Sequence, residues 1–410
     1  MREMKNSGFS WLGEIPKNWS MQRVKHGFTR KNEKAMKENP VILSLARTGV
    51  KVRDVSNNEG QIAESYFNYN PVDPGDLLLN PMDLYSGANC SVSNVSGVIS
   101  PAYINLKSKD GINPFFYDYY FKVQYWMMAF FSYGKGVSFD NRWTLNAETL
   151  MNYPIVALPY DEQCKIADYL DKKCSKIDAI IEKQQTVIEK LKAYKLSKIN
   201  ELIVEVEGQS IHLGYIANMK NGLNFNVALN GKPLKFLGVG DFKDYFVLDR
   251  EDMFSDILID EEIDEDYMLK DGDIVFVRSN GSKELVGRAV MVENIDFPLS
   301  YSGFCIRFRN IRTDILNDRY LLYFFRSPYF REQLKKYSQG SNINNINQVL
   351  LSQISITVPP IEIQKRAIDD VERLSYNLDK TILGKQVLID KLIAYKKSLI
   401  YEVVTGKKEI

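Results

Sequence analysis

"EKLKAYKLSKINELI" occupies residues 189–203, and "DKLIAYKKSLIYEVV" occupies residues 390–404. Leu191, Ala193, Tyr194, Lys195, Ser197, Ile199 and Glu201 return as Leu392, Ala394, Tyr395, Lys396, Ser398, Ile400 and Glu402, each 201 residues later. A fixed offset of nearly half the 410-residue chain marks a tandem repeat, which constrains the fold before any single element is assigned. The copies extend upstream. "ALPYDEQCKIADYLD" (157–171) matches "TVPPIEIQKRAIDDVE" (357–372), placing Pro159 on Pro360 and Gln163 on Gln364. "PGDLLLN" (74–80) resembles "DGDIVFVR" (271–278), and the aromatic-rich stretch 115–136 resembles 318–340. The chain therefore reads as two units, each a mixed region followed by a long helical segment.

The helical segments follow from spacing. After Leu170, the positions of Cys174, Ile177, Ile181, Gln184, Ile188 and Leu191 advance by alternating fours and threes. The second copy gives Val371, Ser375, Leu378, Ile382, Lys385, Ile389 and Leu392. A sustained period of about 3.5 residues is a coiled-coil seam. Pro159 and Pro360 mark the starts, and no proline or glycine interrupts 161–204. At about 1.5 Å per residue such a segment is a helix of roughly 65 Å. Gly384 in the second copy is expected to weaken its helix. Gln184 and Lys385 share one seam position, where a polar residue can fix register.

The mixed regions suggest α/β globules. "DLLLN" and "DIVFVRS" are short apolar strands introduced by Gly-Asp turns, and 98–108 and 297–310 read as further strands. The aromatics of 115–131 and 319–337 have helical spacing and are expected in the core. Four loops rich in Gly, Ser, Asn and basic residues follow: 85–94, 134–142, 278–288 and 338–347. Short polar side chains suit base edges, and Arg and Lys suit guanine and phosphate. The candidate DNA-contacting residues are Arg47, Lys51, Ser86, Asn89, Lys135 and Arg142 in the first region. In the second they are Arg278, Asn280, Ser282, Lys283, Asn342 and Asn344. The acidic run Asp249–Asp266 is expected to be a solvated surface facing away from DNA.

Composition excludes several classes. Hydrophobic residues make up 45% of the chain, which is ample for packed cores. No run of about 18 apolar residues occurs, and "MREMKNSGFS" shows no secretory signal. Cys90, Cys164, Cys174 and Cys305 form no C-x-x-C pair, so reduced thiols in a cytoplasmic protein are expected. The two histidines, His26 and His212, offer scant material for a metal site or a Ser-His-Asp system. The net charge of +1 means that any basic face must be local. "FLGVGD" (236–241) has the outline of a loop for S-adenosylmethionine but lacks a surrounding βαβ pattern. "NPMD" (80–83) lacks the second proline and the aromatic of the amino-methyltransferase motif, and no phosphate-binding G-x-x-x-x-G-K-[ST] loop is present. No catalytic residue, metal ligand or resident cofactor is expected.

The stretch "GFSWLGEIPKNWSMQRV" (8–24) resembles the opening of the specificity subunits of type I restriction–modification systems. The helical segment 158–203 resembles their central conserved helix, and the C-terminal copy, ending in "VVTGK", their second conserved region. The resemblance implies two tandem α/β (α+β) target recognition domains, separated by two long antiparallel coiled-coil helices in a pseudo-twofold repeat. The boundaries expected are 1–158 and 207–358 for the recognition domains, and 159–206 and 359–410 for the helices. It further implies a non-catalytic subunit that reads a bipartite, asymmetric double-stranded DNA site. Two modification subunits, which methylate adenine N6, and two ATP-dependent restriction subunits would assemble on it. The repeated Tyr194, Lys195, Tyr395 and Lys396 are the expected partner-binding residues, read as exposed. The alternatives are a self-sufficient DNA methyltransferase, against which the missing Asn-Pro-Pro motif argues, and a coiled-coil scaffold that binds only protein.

Overall fold

The computed structural model describes residues 2–54, 63, 65–82, 84, 89–136, 143–224, 231–260, 262–282, 284–337 and 345–410. The chain divides into two compact units: unit 1 is Met1–Gln184 with Val387–Ile410, and unit 2 is Gln185–Gln386. Each unit holds one mixed region together with parts of both long helices.

In unit 1 the central sheet is antiparallel, in the order Phe28–Lys31, Ile104–Ser108, Leu77–Leu79, Cys90–Val92. In unit 2 the same order and direction recur as Ala217–Asn221, Cys305–Asn310, Ile274–Val277, Ala289–Val292, to which Val247–Leu248 adds in parallel. A second pairing also recurs. Ser20–Arg23 lies antiparallel to Pro154–Ala157, as Gln209–His212 does to Ser355–Val358. The tandem repeat of the sequence is thus a repeat of strand topology. Each unit adds strands beside this frame: Leu43–Ala46 with Gly49–Val52 and Asn70–Val72 with Gly97–Ile99 in unit 1, and the three-stranded sheet Ser255–Ile259, Lys232–Leu237, Leu299–Tyr301 in unit 2.

The aromatic stretches pack against these sheets. Pro114–Trp126 is one helix, capped by the Asn113 side chain, and Phe116, Tyr117, Tyr120 and Phe121 are fully buried on it. The matching stretch of unit 2 is two helices, Asp318–Phe325 and Pro328–Tyr337, because Pro328 has no N–H to continue the first. These rings are core, not a stacking platform: Phe276, Phe308, Phe325 and Phe330 contact one another at centroid distances of 4.8–6.3 Å.

The long helices run over Tyr160–Ile203 and Ile361–Val404, 44 residues each. The seam residues Cys174, Ile177, Ile188, Val371 and Ile389 are buried, as the period requires. The second helix continues through Gly384, where a Cβ would meet nothing within 4 Å. Open space and a helical backbone leave only the entropic cost of glycine. Gly384→Ala is therefore expected to raise stability by about 1 kcal/mol in urea unfolding.

A buried glutamine ties each long helix to its own mixed region. The Gln163 carbonyl oxygen accepts from the Asn113 N–H at 2.8 Å, and its amide donates to the carbonyls of Gly111 and Leu158 at 3.0 and 2.9 Å. Gln364 repeats this: it accepts from the Asn317 N–H at 2.9 Å and donates to Ile315 and Pro359 at 2.7 and 2.8 Å. Each glutamine satisfies backbone groups at the start of an aromatic helix and at the entry to a long helix, where unpaired groups would be costly.

Candidate nucleic-acid interface

In unit 1 the hairpin Leu43–Ala46/Gly49–Val52 turns through Arg47 and Thr48, with Gly49 at φ +111°. Arg47 and Lys51 are exposed on it. The Asn89 amide donates to the Leu45 carbonyl at 3.3 Å, which brings a second loop against the hairpin. A third segment joins through backbone bonds from Leu84 N–H to the Trp143 carbonyl (3.1 Å) and from Leu145 N–H to that of Pro81 (2.9 Å). Lys135 and Thr144 close that segment by two backbone bonds of 2.8 and 3.0 Å. Ser86 and Arg142 lie outside the described residues.

In unit 2 Arg278 leaves its strand held on both sides. Its N–H donates to the Phe304 carbonyl at 2.7 Å, and its carbonyl accepts from Ile346 at 2.9 Å. One guanidinium nitrogen donates to the Gly303 carbonyl at 3.2 Å. A guanidinium has five N–H donors, so this positions the group without exhausting it. The Asn280 carbonyl oxygen accepts from the Ser282 N–H at 2.8 Å, an Asx turn that fixes the loop. Ser279 bridges Asn345, joining the two loops of this region. Lys283, Asn342 and Asn344 lie outside the described residues.

The acidic run Asp249–Asp266 is more than solvated surface. Asp266 pairs with Lys220, whose ammonium also lies 3.7 Å from the centre of the Tyr267 ring. Hydrogen bonding to Lys220 holds the Asp266 carboxyl below its ordinary value. The same residue serves the fully buried Arg307, whose guanidinium donates to its carbonyl oxygen at 2.6 Å. A buried guanidinium needs such acceptors, so this end of the run is part of the unit's structure. Asp256 and Glu251 likewise answer Lys235.

On the helices, Tyr194 and Tyr395 are exposed (47% and 55%). Lys195 and Lys396 are not the free surface charges the sequence suggested. Lys195 pairs with Asp379 at 2.7 Å in unit 2, and Lys396 with Asp178 at 2.6 Å in unit 1. Both lie in line with the seam, four residues beyond Leu191 and Leu392, so their stems cover apolar surface and their heads reach the facing helix. The two ion pairs are copies of each other at the 201-residue offset. Unit 2 also carries an open groove of about 760 Å³ beside Lys195, floored by Leu196, Ile199, Phe246 and Phe330. Arg326 stacks 4.0 Å from the Phe246 ring centre there, and burial pushes its guanidinium down to about 10.

Among the described residues no group of three or more His, Cys, Asp and Glu is arranged to hold a metal. "FLGVGD" closes on itself: the Asp241 carboxylate accepts from the Gly238 N–H (2.7 Å) and the Ser255 hydroxyl (2.8 Å). In "NPMD" the Asn80 side chain accepts from the Met82 N–H at 3.0 Å, and Asp83 lies outside the described residues. Among the described residues no helix is long and apolar enough to cross a membrane.

Residues 211–386 match the family described as "Type I restriction modification DNA specificity domain". The chain is 25% identical over 311 residues to the type I restriction enzyme StySPI specificity subunit of Salmonella potsdam, covering 72% of this chain and 62% of that one. It thus spans less than two thirds of that relative. A solved structure entitled "Structural basis underlying complex assembly and conformational transition of the type I R-M system" superposes with a TM-score of 0.73. That match covers 96% of this chain and 99% of the other, at 14% identity. The HsdS subunit from Thermoanaerobacter tengcongensis gives a TM-score of 0.54 over 96% and 98%, also at 14% identity. The fold is therefore that of type I specificity subunits: two tandem mixed domains and two long helices in an internal repeat. The family match spans the second mixed region and the first part of the second long helix.

Proposed function

We propose that this chain is the DNA-recognition subunit of a type I restriction–modification enzyme. It has no catalytic centre of its own. The recognition domains, 1–158 and 207–358, each read one part of an asymmetric, two-part site on double-stranded DNA. The observation that carries this is the duplicated sheet and helix frame bearing two different sets of polar loops. Equal frames give two equivalent docking positions, and unlike loops give two unlike half-sites. The runs 159–206 and 359–410 dock two adenine-N6 modification subunits, on which restriction subunits assemble in turn. The exposed apolar residues Leu383, Val387 and Leu388 support a partner-covered helix face. The test is to map N6-methyladenine in the host genome with and without this gene. Loss of methylation at one split motif is expected; an unchanged methylome overturns the reading.

Arg278 is poised to contact a base edge, and a direct contact of this kind is worth about 1–3 kcal/mol of discrimination. Arg278→Ala is expected to relax the methylated motif at one position of one half-site and leave the other half-site intact. Because Lys195 and Lys396 are committed to ion pairs within the chain, the tyrosines beside them make the cleaner docking test. Tyr194→Ala with Tyr395→Ala is expected to weaken binding of the modification subunit at least about tenfold. Exposed side chains contribute little to folding, so urea unfolding should shift by less than about 0.5 kcal/mol.

A further inference from the structure

Unit 1 contains a cleft of about 880 Å³ that none of the loop residues above lines. It is built on the edge strand Phe28–Lys31 and the segment that follows it to Val41, with Lys107 on the neighbouring strand in register with Thr29, and Asp73 and Val98 also in the lining. Five cations line it: Arg30, Lys31, Lys34, Lys37 and Lys107. Lys31 is buried and spoken for, with Asp73 at 2.8 Å and Asp76 at 2.7 Å. Burial opposes its charge, but the hydrogen bonds to the two carboxylates outweigh this and hold the ammonium above its ordinary value. The other four cations are exposed and none makes an ion pair among the described residues, although the charge of Lys107 is felt by Asp73. Glu33 is the remaining carboxylate of the lining.

Unit 2 treats the equivalent strands differently. On Ala217–Asn221, Lys220 is paired with Asp266. On its neighbour Cys305–Asn310, Arg307 is served by Asp266 and Arg309 by Asp273, the latter at 2.6 Å. The three cations there are answered by two carboxylates, Asp266 being shared by Lys220 and Arg307. A group of exposed cations whose one buried donor, Lys31, is already committed to two carboxylates does not suit a single small anion held in fixed geometry. It suits a repeating anion that needs charge neutralisation without exact registry.

We propose that this cleft of unit 1 grips the phosphodiester backbone of duplex DNA without reading bases, and that the equivalent strands of unit 2 supply no such grip. The inference rests on the DNA-recognition reading. It makes the chain's salt-dependent affinity asymmetric, concentrated in the domain that precedes the first long helix.

The test uses the full chain carrying Arg30→Gln, Lys34→Gln, Lys37→Gln and Lys107→Gln, with circular dichroism confirming the fold. Lys220→Gln, with its fold confirmed in the same way, serves as the unit 2 control. Binding to a labelled duplex of arbitrary sequence is followed by anisotropy from about 50 to about 200 mM salt. Each phosphate neutralised contributes about 0.9 to the slope of log affinity against log salt. The quadruple variant is expected to lose about 3 from that slope and at least about tenfold in affinity at the lowest salt, with the control unchanged. If the unsubstituted chain binds no duplex, the DNA reading itself fails. If it binds and the quadruple variant keeps its slope, the cleft is not the grip. A variant that keeps its slope but methylates an altered motif, with the modification subunit added, shows a base-reading cleft and overturns the proposal.

Discussion

Gln364→Ala is expected to destabilise unit 2 by about 3–5 kcal/mol, the sum of a buried cavity and three stranded backbone groups. The side chain is fully buried, and its amide is the partner of the Asn317 N–H and of the Ile315 and Pro359 carbonyls. Water cannot take its place without opening the junction between the aromatic helix and the long helix. Gln163→Ala should do the same to unit 1. Urea unfolding followed by hydrogen exchange distinguishes the units: protection should fall around Asn317–Phe325 in one variant and around Asn113–Trp126 in the other. A loss below about 1 kcal/mol would show that the amide is dispensable. Gln364→Glu gives a pH readout. The new carboxylate faces two carbonyl oxygens, so its folded-state pKa must lie above the unfolded value of about 4.3. A raised pKa means that the folded state binds the proton more tightly. The variant is therefore least handicapped at low pH and loses stability as pH rises through the folded pKa.

Gly406→Val is expected to cost more than about 3 kcal/mol in unit 1, combining backbone strain with overpacking. Gly406 sits at φ +72°, just beyond the end of the second long helix, where its N–H returns to the Val403 carbonyl at 3.1 Å. A Cβ there would lie 2.3 and 2.4 Å from two ring carbons of Pro16 and 3.2 Å from the Trp19 indole. Both partners belong to the N-terminal motif, and Trp19 is fully buried. Neither the proline ring nor the packed indole can swing aside, so the chain end must detach. Exchange of the amides from Leu399 to Thr405 should accelerate by at least about a hundredfold. Unchanged protection there would refute the account.

The repeat made much of the fold readable, because two copies of a seam and its flanking prolines constrain each other. The helix limits follow from Pro159, Pro360 and the unbroken period. The sheet order does not, since pairing Phe28–Lys31 with Ile104–Ser108 depends on contacts more than seventy residues apart. Gln163 and Gln364 were visible as a repeated pair, but their burial was not. The exposure assigned to Lys195 and Lys396 was an error that the spacing could have prevented, since both continue the seam. The cluster Arg30, Lys31, Lys34, Lys37 was legible as a local charge run and was hidden by a whole-chain charge of +1. Which loops meet, as Arg278 meets Gly303 and Ile346, is set by strand pairing that no local pattern reports.

Unit 2 is one unbroken stretch of chain, whereas unit 1 is assembled from stretches on either side of it. A ribosome adding about 5–20 residues per second takes roughly 20–80 s to travel from the Trp19 motif to Val403 and Gly406. Throughout that interval the apolar faces of Ile15, Trp19 and Ile166 lack the Leu399–Val404 side chains that share their core. Unit 2 waits about half as long, roughly 10–35 s, because Ile199 and Ile203 share their core with Ala367, Ile368 and Val371. The order of completion is therefore reversed: the last residue of the half translated second emerges before the last residue of the half translated first.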